Sequence, residues 1–115
     1  MIGLNEFFRS ASNTPLFVEG EIIHHKRYNY RGVIVGINFT CEAENDWYHY
    51  NQTQPDRNQP WYHVLVDGSV STTYVAESNL EPDTSGQAIN HPLIEIFFSS
   101  FKSGSYIRND KPWPG

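Results

Sequence analysis

The stretch from Trp61 to Ala76 constrains this chain most. Residues 61–66 (Trp-Tyr-His-Val-Leu-Val) alternate, so that Tyr62, Val64 and Val66 share one face of an extended segment. Successive side chains of a strand point to opposite sides. Asp67-Gly68 follows, a pair suited to a tight type I′ turn. Residues 70–76 are rich in β-branched side chains and alternate again. Together these features predict a β-hairpin and commit the middle of the chain to antiparallel sheet.

Residues 21–26 predict a first strand. Tyr28-Asn29-Tyr30 predicts a turn, because Asn tolerates left-handed backbone angles. Residues 31–39 predict a second strand whose centre, Val33-Ile34-Val35, is apolar on both faces. Gly32 and Gly36 permit the sharp bending of a small barrel. Residues 79–82 read as a turn that closes the sheet. Residues 40–60 form a long excursion with one helical turn: acidic first, aromatic at Trp47-Tyr48-His49-Tyr50, then polar with Pro55 and Pro60. Loops of this length are often functional.

The period then changes. Ile94, Phe97, Phe98 and Phe101 lie on one helical face, Pro92 suits a first helical turn and Gly104 suits a helix end. Residues 92–102 therefore predict a helix packed on the sheet. Tyr106 and Ile107 predict a last short strand, and residues 111–115 a frayed end. Residues 2–9 predict a short arm carrying Leu4, Phe7 and Phe8, and residues 10–15 a loop. The fold class that follows is mainly β. It is a small SH3-like barrel of about five strands over residues 17–82, with one C-terminal helix, in a single domain spanning 1–115.

Aromatic residues make up 15% of the 115, which lets a domain of this size bury a large apolar area. Cys41 stands alone, so no internal disulfide forms. The N-terminus lacks a basic region followed by an apolar stretch, and no apolar run reaches the length of a membrane span. The expectation is a cytoplasmic protein with no membrane association. A net charge of −5 argues against a general nucleic-acid binder.

The charge layout matters more than the total. Between Ile22 and Cys41 stand Lys26, Arg27 and Arg31 with no acidic residue, and Tyr28 and Tyr30 are interleaved. Cations for phosphates and rings for stacking are what a nucleic-acid surface uses. A solvated hairpin tip is the plain alternative. Three phosphate contacts give a salt slope of only about −2.7, so useful affinity would require a homo-oligomer to multiply the patch. Trp47, Tyr48 and Trp61 could line a pocket or meet a protein partner; core or rim packing is their plain alternative. Glu42, Glu44 and Asp46 lack the Gly and terminal Glu of a calcium loop, and read as a solvated acidic loop that repels DNA and suits a basic partner.

The histidines His24, His25, His49, His63 and His91 show no metal-ligand spacing. His24 and His25 are adjacent on a predicted strand and point to opposite faces. His91 reads as a residue at the start of the helix. Cys41, without a recognisable motif, reads as a small buried residue rather than a nucleophile. Neither a metal, a cofactor nor catalysis is expected.

Several segments in one order resemble the YccV-like family, also described as hemimethylated-DNA-binding or heat-shock protein Q. They are Phe17 to Gly20, His25 through Ile34, Thr40-Cys41, Trp47, Gln59 through Val66, Tyr74 through Leu80 and Ile89-Asn90-His91-Pro92. The match runs from about Phe17 to Ile107. It is closer to the version found at the C-terminal end of a eukaryotic F-box protein, through Lys26-Arg27-Tyr28, Thr40-Cys41, Trp47 and His91-Pro92. Only sixteen residues precede Phe17, so an F-box before the barrel is not expected.

The resemblance implies an SH3-like barrel and two roles. One is binding of hemimethylated DNA, here through Lys26, Arg27, Tyr28, Tyr30 and Arg31. The other is that of an adaptor to a protease in regulated proteolysis or the heat-shock response, here through Trp47, Tyr48 and Trp61. Sensing one methyl group is worth about 0.8 kcal/mol, so selectivity for hemimethylated sites needs an aromatic pocket or a DNA-shape effect as well.

Overall fold

A computed structural model of the chain describes residues 14–50 and 55–115. The expected arm at 2–9 and most of the expected 10–15 loop lie outside the described residues. The strands are β1 (Ile22–His25), β2 (Arg31–Asn38), β3 (Trp61–Val66), β4 (Thr72–Ala76), β5 (Leu80–Pro82), β6 (Phe98–Lys102) and β7 (Ser105–Arg108). Among the described residues two short helices, α1 (Asn45–Tyr50) and α2 (Ile94–Phe97), and a 3-10 turn (Glu77–Asn79) connect them. The first five strands form one antiparallel sheet in the order β4-β3-β2-β1-β5, and β6 and β7 pair separately. The mainly β expectation holds; the described residues carry seven strands, five of them in the main sheet, and among them no closed barrel is found.

Three local expectations give way to particular residues. Asp67-Gly68 does not make a type I′ turn, which requires positive φ at both central residues. Gly68 has φ +73, but Asp67 is not in the left-handed region. The loop is longer, closed by the Val66 N–H on Ser71 O at 3.1 Å and held where Asp67 Oδ1 accepts the Asn90 N–H at 2.7 Å. Residues 80–82, expected as a turn, are strand β5, paired with β1 from Ile23↔Pro82 to His25↔Leu80.

The helix expected over 92–102 ends after one turn. Ile94–Phe97 is helical, and Phe98–Lys102 is strand β6. The type I′ chemistry sits here instead: Ser103 (φ 54) and Gly104 (φ 81) link the paired residues Lys102 and Ser105. Gly104 thus serves a hairpin, not a helix end. The phenylalanine set is divided, with Phe98 and Phe101 packing on Tyr106 of β7 at 5.3 and 4.6 Å between ring centroids. The expected last strand at Tyr106 and Ile107 is present.

The centre of β2 is apolar on both sides because both of its faces are buried. Alternation places Val35 on the same face as Val33, packed with Leu65, Phe97, Phe98 and Tyr106, and the bulge between Ile34 and Gly36 shifts the phase so that Ile37 joins the side of Ile34. Ile34 faces the other way, toward Phe17, Ile23, Tyr62, Val64 and Leu80. One sheet face is therefore covered by the C-terminal hairpin. On the other, the Tyr30 hydroxyl meets Thr73 Oγ1 at 2.7 Å and draws the β1–β2 turn toward β4. The tail is not frayed at Trp113. Its indole packs on Phe97 (5.2 Å) and His63 (5.9 Å), over Gly36, where a Cβ would lie 3.1 Å from Trp113 Cδ1.

Candidate functional site

The β1–β2 turn is organised by His25, 3% exposed at the end of β1. Its Nδ1 accepts the Arg27 and Tyr28 backbone N–H groups at 3.1 and 3.0 Å, and Asn29 (φ 55) completes the reversal as the sequence predicts. The imidazole stacks between Tyr28 and Tyr30, with centroids 4.8 and 5.0 Å away. Lys26 and Arg27 project from this turn; Lys26 Nζ reaches Ser78 O at 3.4 Å, and the Arg27 guanidinium lies 5.8 Å from the Tyr28 ring. Tyr30 is largely internal.

Arg31 has a different position. Its guanidinium bonds Asp67 Oδ2 at 3.0 Å, Asp83 Oδ2 at 3.1 Å and Gln87 O at 2.6 Å. It ties three segments together. The structure brings Lys26, Arg27 and Tyr28 into one exposed tip and leaves Arg31 and Tyr30 in supporting roles.

His25 gives this turn a pH dependence with a defined sign. Burial, then the positive neighbours His24 and Arg27, lowers its pKa from 6.5. The tyrosine faces favour a cation by about 0.5–1 kcal/mol each, but protonating Nδ1 orphans two backbone donors at about 1–3 kcal/mol each, so the neutral form wins. The unfolded chain then binds the proton first, and this contribution to stability falls as pH drops below about 6.5. His24 has the opposite sign: the bonds its ring donates to Asn29 Oδ1 and Glu81 Oε2 raise its pKa. A local readout separates them. Between pH 7 and 5 the Arg27 and Tyr28 amides are expected to lose hydrogen-exchange protection, and unchanged protection would refute the cap.

The second feature is a groove of about 1330 Å³ across the outer face of β2, β3 and β4. Its floor is the Gly36–His63–Tyr74 row, aligned by strand register. His63 and Tyr74 stack at 4.6 Å, and Tyr74 OH donates to Asn38 Oδ1 at 2.7 Å. Burial lowers the His63 pKa and raises that of Tyr74, so both rings are neutral at pH 7 and present an aromatic surface. One wall is Trp47 on α1, 40% exposed and packed edge-on to Tyr74 at 5.7 Å. The other is Trp113. Tyr28 also lines the groove, which joins the two features.

The expected aromatic set is divided by this geometry. Trp47 faces the groove. Trp61 is fully buried against Cys41 and Ala76, beneath Trp47 and Tyr74 at the base of the groove, with ring centroids 6.1 and 5.3 Å away. Tyr48 donates to Pro55 O at 2.8 Å under the Arg57 guanidinium, 4.8 Å from its ring, and so ties α1 to Pro55 and Arg57. His63, Tyr74 and Trp113 were not singled out by pattern. Only the alternation of β3 and β4, which puts His63 and Tyr74 on one face, could have indicated two of them.

Cys41 is a buried free thiol beside Trp61. His91 is buried, with Nδ1 accepting the Leu93 N–H at 3.1 Å at the start of α2. Among the described residues no group of His, Cys, Asp or Glu is placed to hold a metal, and no helix is long and apolar enough to cross a membrane.

Fold and site together define a small, mainly β domain with an open aromatic groove beside a basic turn. The chain belongs to the YccV-like family: the model for "Hemimethylated DNA-binding protein YccV like" matches residues 16–105. That description is one of DNA binding, not of an enzyme class. The chain is 38% identical over 93 residues to F-box only protein 21 of Homo sapiens, and 37% identical to that of Mus musculus. In both cases the match covers 78% of this chain but 15% of the relative.

Proposed function

We propose that this domain is a non-catalytic recognition module, built on an SH3-like curl of the five-stranded sheet, that captures a protein segment in its aromatic groove as an adaptor in regulated proteolysis. The groove carries this reading. At about 1330 Å³ it exceeds the roughly 300–1,000 Å³ typical of small-molecule pockets, and its open, ring-lined shape suits a polymer. The F-box name of the relatives supports the link to proteolysis.

A second reading, DNA binding, is supported by the family description and by the exposed Lys26 and Arg27. With Arg31 engaged by two carboxylates, two phosphate contacts remain, for a salt slope of about −1.8. In this reading Tyr28 stacks on a base or sugar, and Tyr30 and Arg31 support the tip.

One pair of titrations separates the readings. Random-sequence peptides and labelled GATC duplexes (unmethylated, hemimethylated and fully methylated) are each titrated into the wild type, Trp47→Ala and Lys26→Glu/Arg27→Glu. Peptide binding weakened at least about tenfold by Trp47→Ala and unchanged by the charge reversal is expected. Duplex binding lost on charge reversal, with no peptide binding, would overturn the adaptor reading in favour of DNA.

A further inference from the structure

Strand β4 is an edge of the sheet. The Val66 N–H to Ser71 O bond and the Glu77 N–H to Pro60 O bond fix which of its backbone groups face β3. With the register running from Leu65↔Thr72 to Trp61↔Ala76, Thr73 and Val75 bond inward. Thr72, Tyr74 and Ala76 direct their N–H and C=O groups away from the sheet. Ala76 is 1% exposed, covered by the excursion after β2. Thr72 is exposed and Tyr74 half-buried, and no backbone group of the described residues pairs with them. An unpaired edge beside an aromatic groove is a template for strand addition.

Charge selects the occupant. Beside Tyr74 the groove is lined by Glu42 and Trp47, and Glu44 and Asp46 precede Trp47 in sequence; its cations, Arg108 and Lys111, belong to the Trp113 side. None of these three carboxylates has an ion-pair partner among the described residues. Glu19, by contrast, is bridged by Arg108 at 3.2 Å. Free carboxylates beside a half-exposed indole form a site for a cation, which the indole face also attracts.

We propose that the open half of β4, at Thr72 and Tyr74, takes up an extended lysine- or arginine-bearing segment of another protein as an added strand, with a cationic side chain held between Trp47 and Glu42. This deepens the protein-segment reading above and rests on it.

The test uses short labelled peptides of alternating Lys and Thr, of alternating Glu and Thr, and the Lys–Thr peptide with backbone N-methylation. Binding is read by anisotropy and by amide exchange of the protein. The Lys–Thr peptide is expected to bind at least about tenfold more tightly than the Glu–Thr peptide and to slow exchange at the Thr72 and Tyr74 amides. N-methylation is expected to abolish binding. So is Thr72→Pro, which removes one outward N–H at the first residue of an edge strand, where proline is tolerated. If that variant does not fold, the N-methylated peptide carries the same test. Glu42→Gln/Glu44→Gln/Asp46→Asn is expected to erase the charge preference. Binding without protection of Thr72 and Tyr74, or preference for the Glu–Thr peptide, overturns strand addition by a basic segment while the adaptor reading stands. Absence of binding by any peptide overturns both.

Discussion

Gly20→Ala is expected to destabilise the domain by about 3–5 kcal/mol, from left-handed strain and overpacking together. Gly20 joins the main sheet to the C-terminal hairpin. Its N–H donates to Ile34 O and its carbonyl accepts the Tyr106 N–H, both at 2.8 Å. It has φ +95, and a Cβ built there would lie 2.0 Å from the Tyr106 carbonyl oxygen. The obstacle is backbone, so no side chain can rotate away. The hairpin must move, which takes Tyr106 and Phe98 off Val33 and Val35. Against a total stability of about 5–15 kcal/mol, this is a large fraction. Gly68→Ala is the control: φ is +73, but nothing lies within 4 Å. It is expected to cost only about 1–2 kcal/mol. Urea unfolding followed by tryptophan fluorescence compares the two, and equal losses would remove the contact from the explanation.

How much of this was legible depends on the range of the interactions involved. The turn at Asn29 was readable because its cause is local: a residue that accepts positive φ between two alternating segments. β2 and β3 were readable from apolar pattern. The C-terminal hairpin was not, because Ile94, Phe97, Phe98 and Phe101 fit a helical period, and short apolar runs satisfy helix and strand alike. What decides is Ser103-Gly104, whose left-handed pair turns the chain back after Lys102. Trp113 was read as part of a frayed end because nothing nearby in sequence holds it; Gly36, seventy-seven positions earlier, leaves the space it fills. Of the candidate site residues, pattern picked out Lys26, Arg27, Tyr28 and Trp47, which the fold leaves exposed. It could not reveal that Trp61 is buried, nor that Arg31 is engaged by carboxylates thirty-six and fifty-two positions away.

Arg31→Met is expected to cost about 2–3 kcal/mol, the scale of hydrogen bonds to charged groups. Asp83 is 9% exposed at its side chain and Asp67 is 28% exposed, so removing the guanidinium leaves a nearly buried carboxylate without its cation. Burial pushes the Asp83 pKa up, yet its bonds from Arg31 and Ser85 outweigh that and hold it below the usual carboxylate value. Its contribution is therefore complete above about pH 4 and is lost as pH falls through the depressed value. The variant is expected to flatten this acid limb. Asp83→Ala added to Arg31→Met is expected to cost less than the two single changes summed, because each removes the partner the other leaves behind. This determines how the basic turn can be tested. A charge reversal at Arg31 would weaken any binding by loosening the joint between the β3–β4 loop and the segment after β5, whether or not a phosphate is ever touched. Lys26 and Arg27 carry no such structural duty, so only their reversal reports contact. If Arg31→Met instead leaves stability within about 0.5 kcal/mol, the joint contributes little, and Arg31 returns to the set of cations available to DNA.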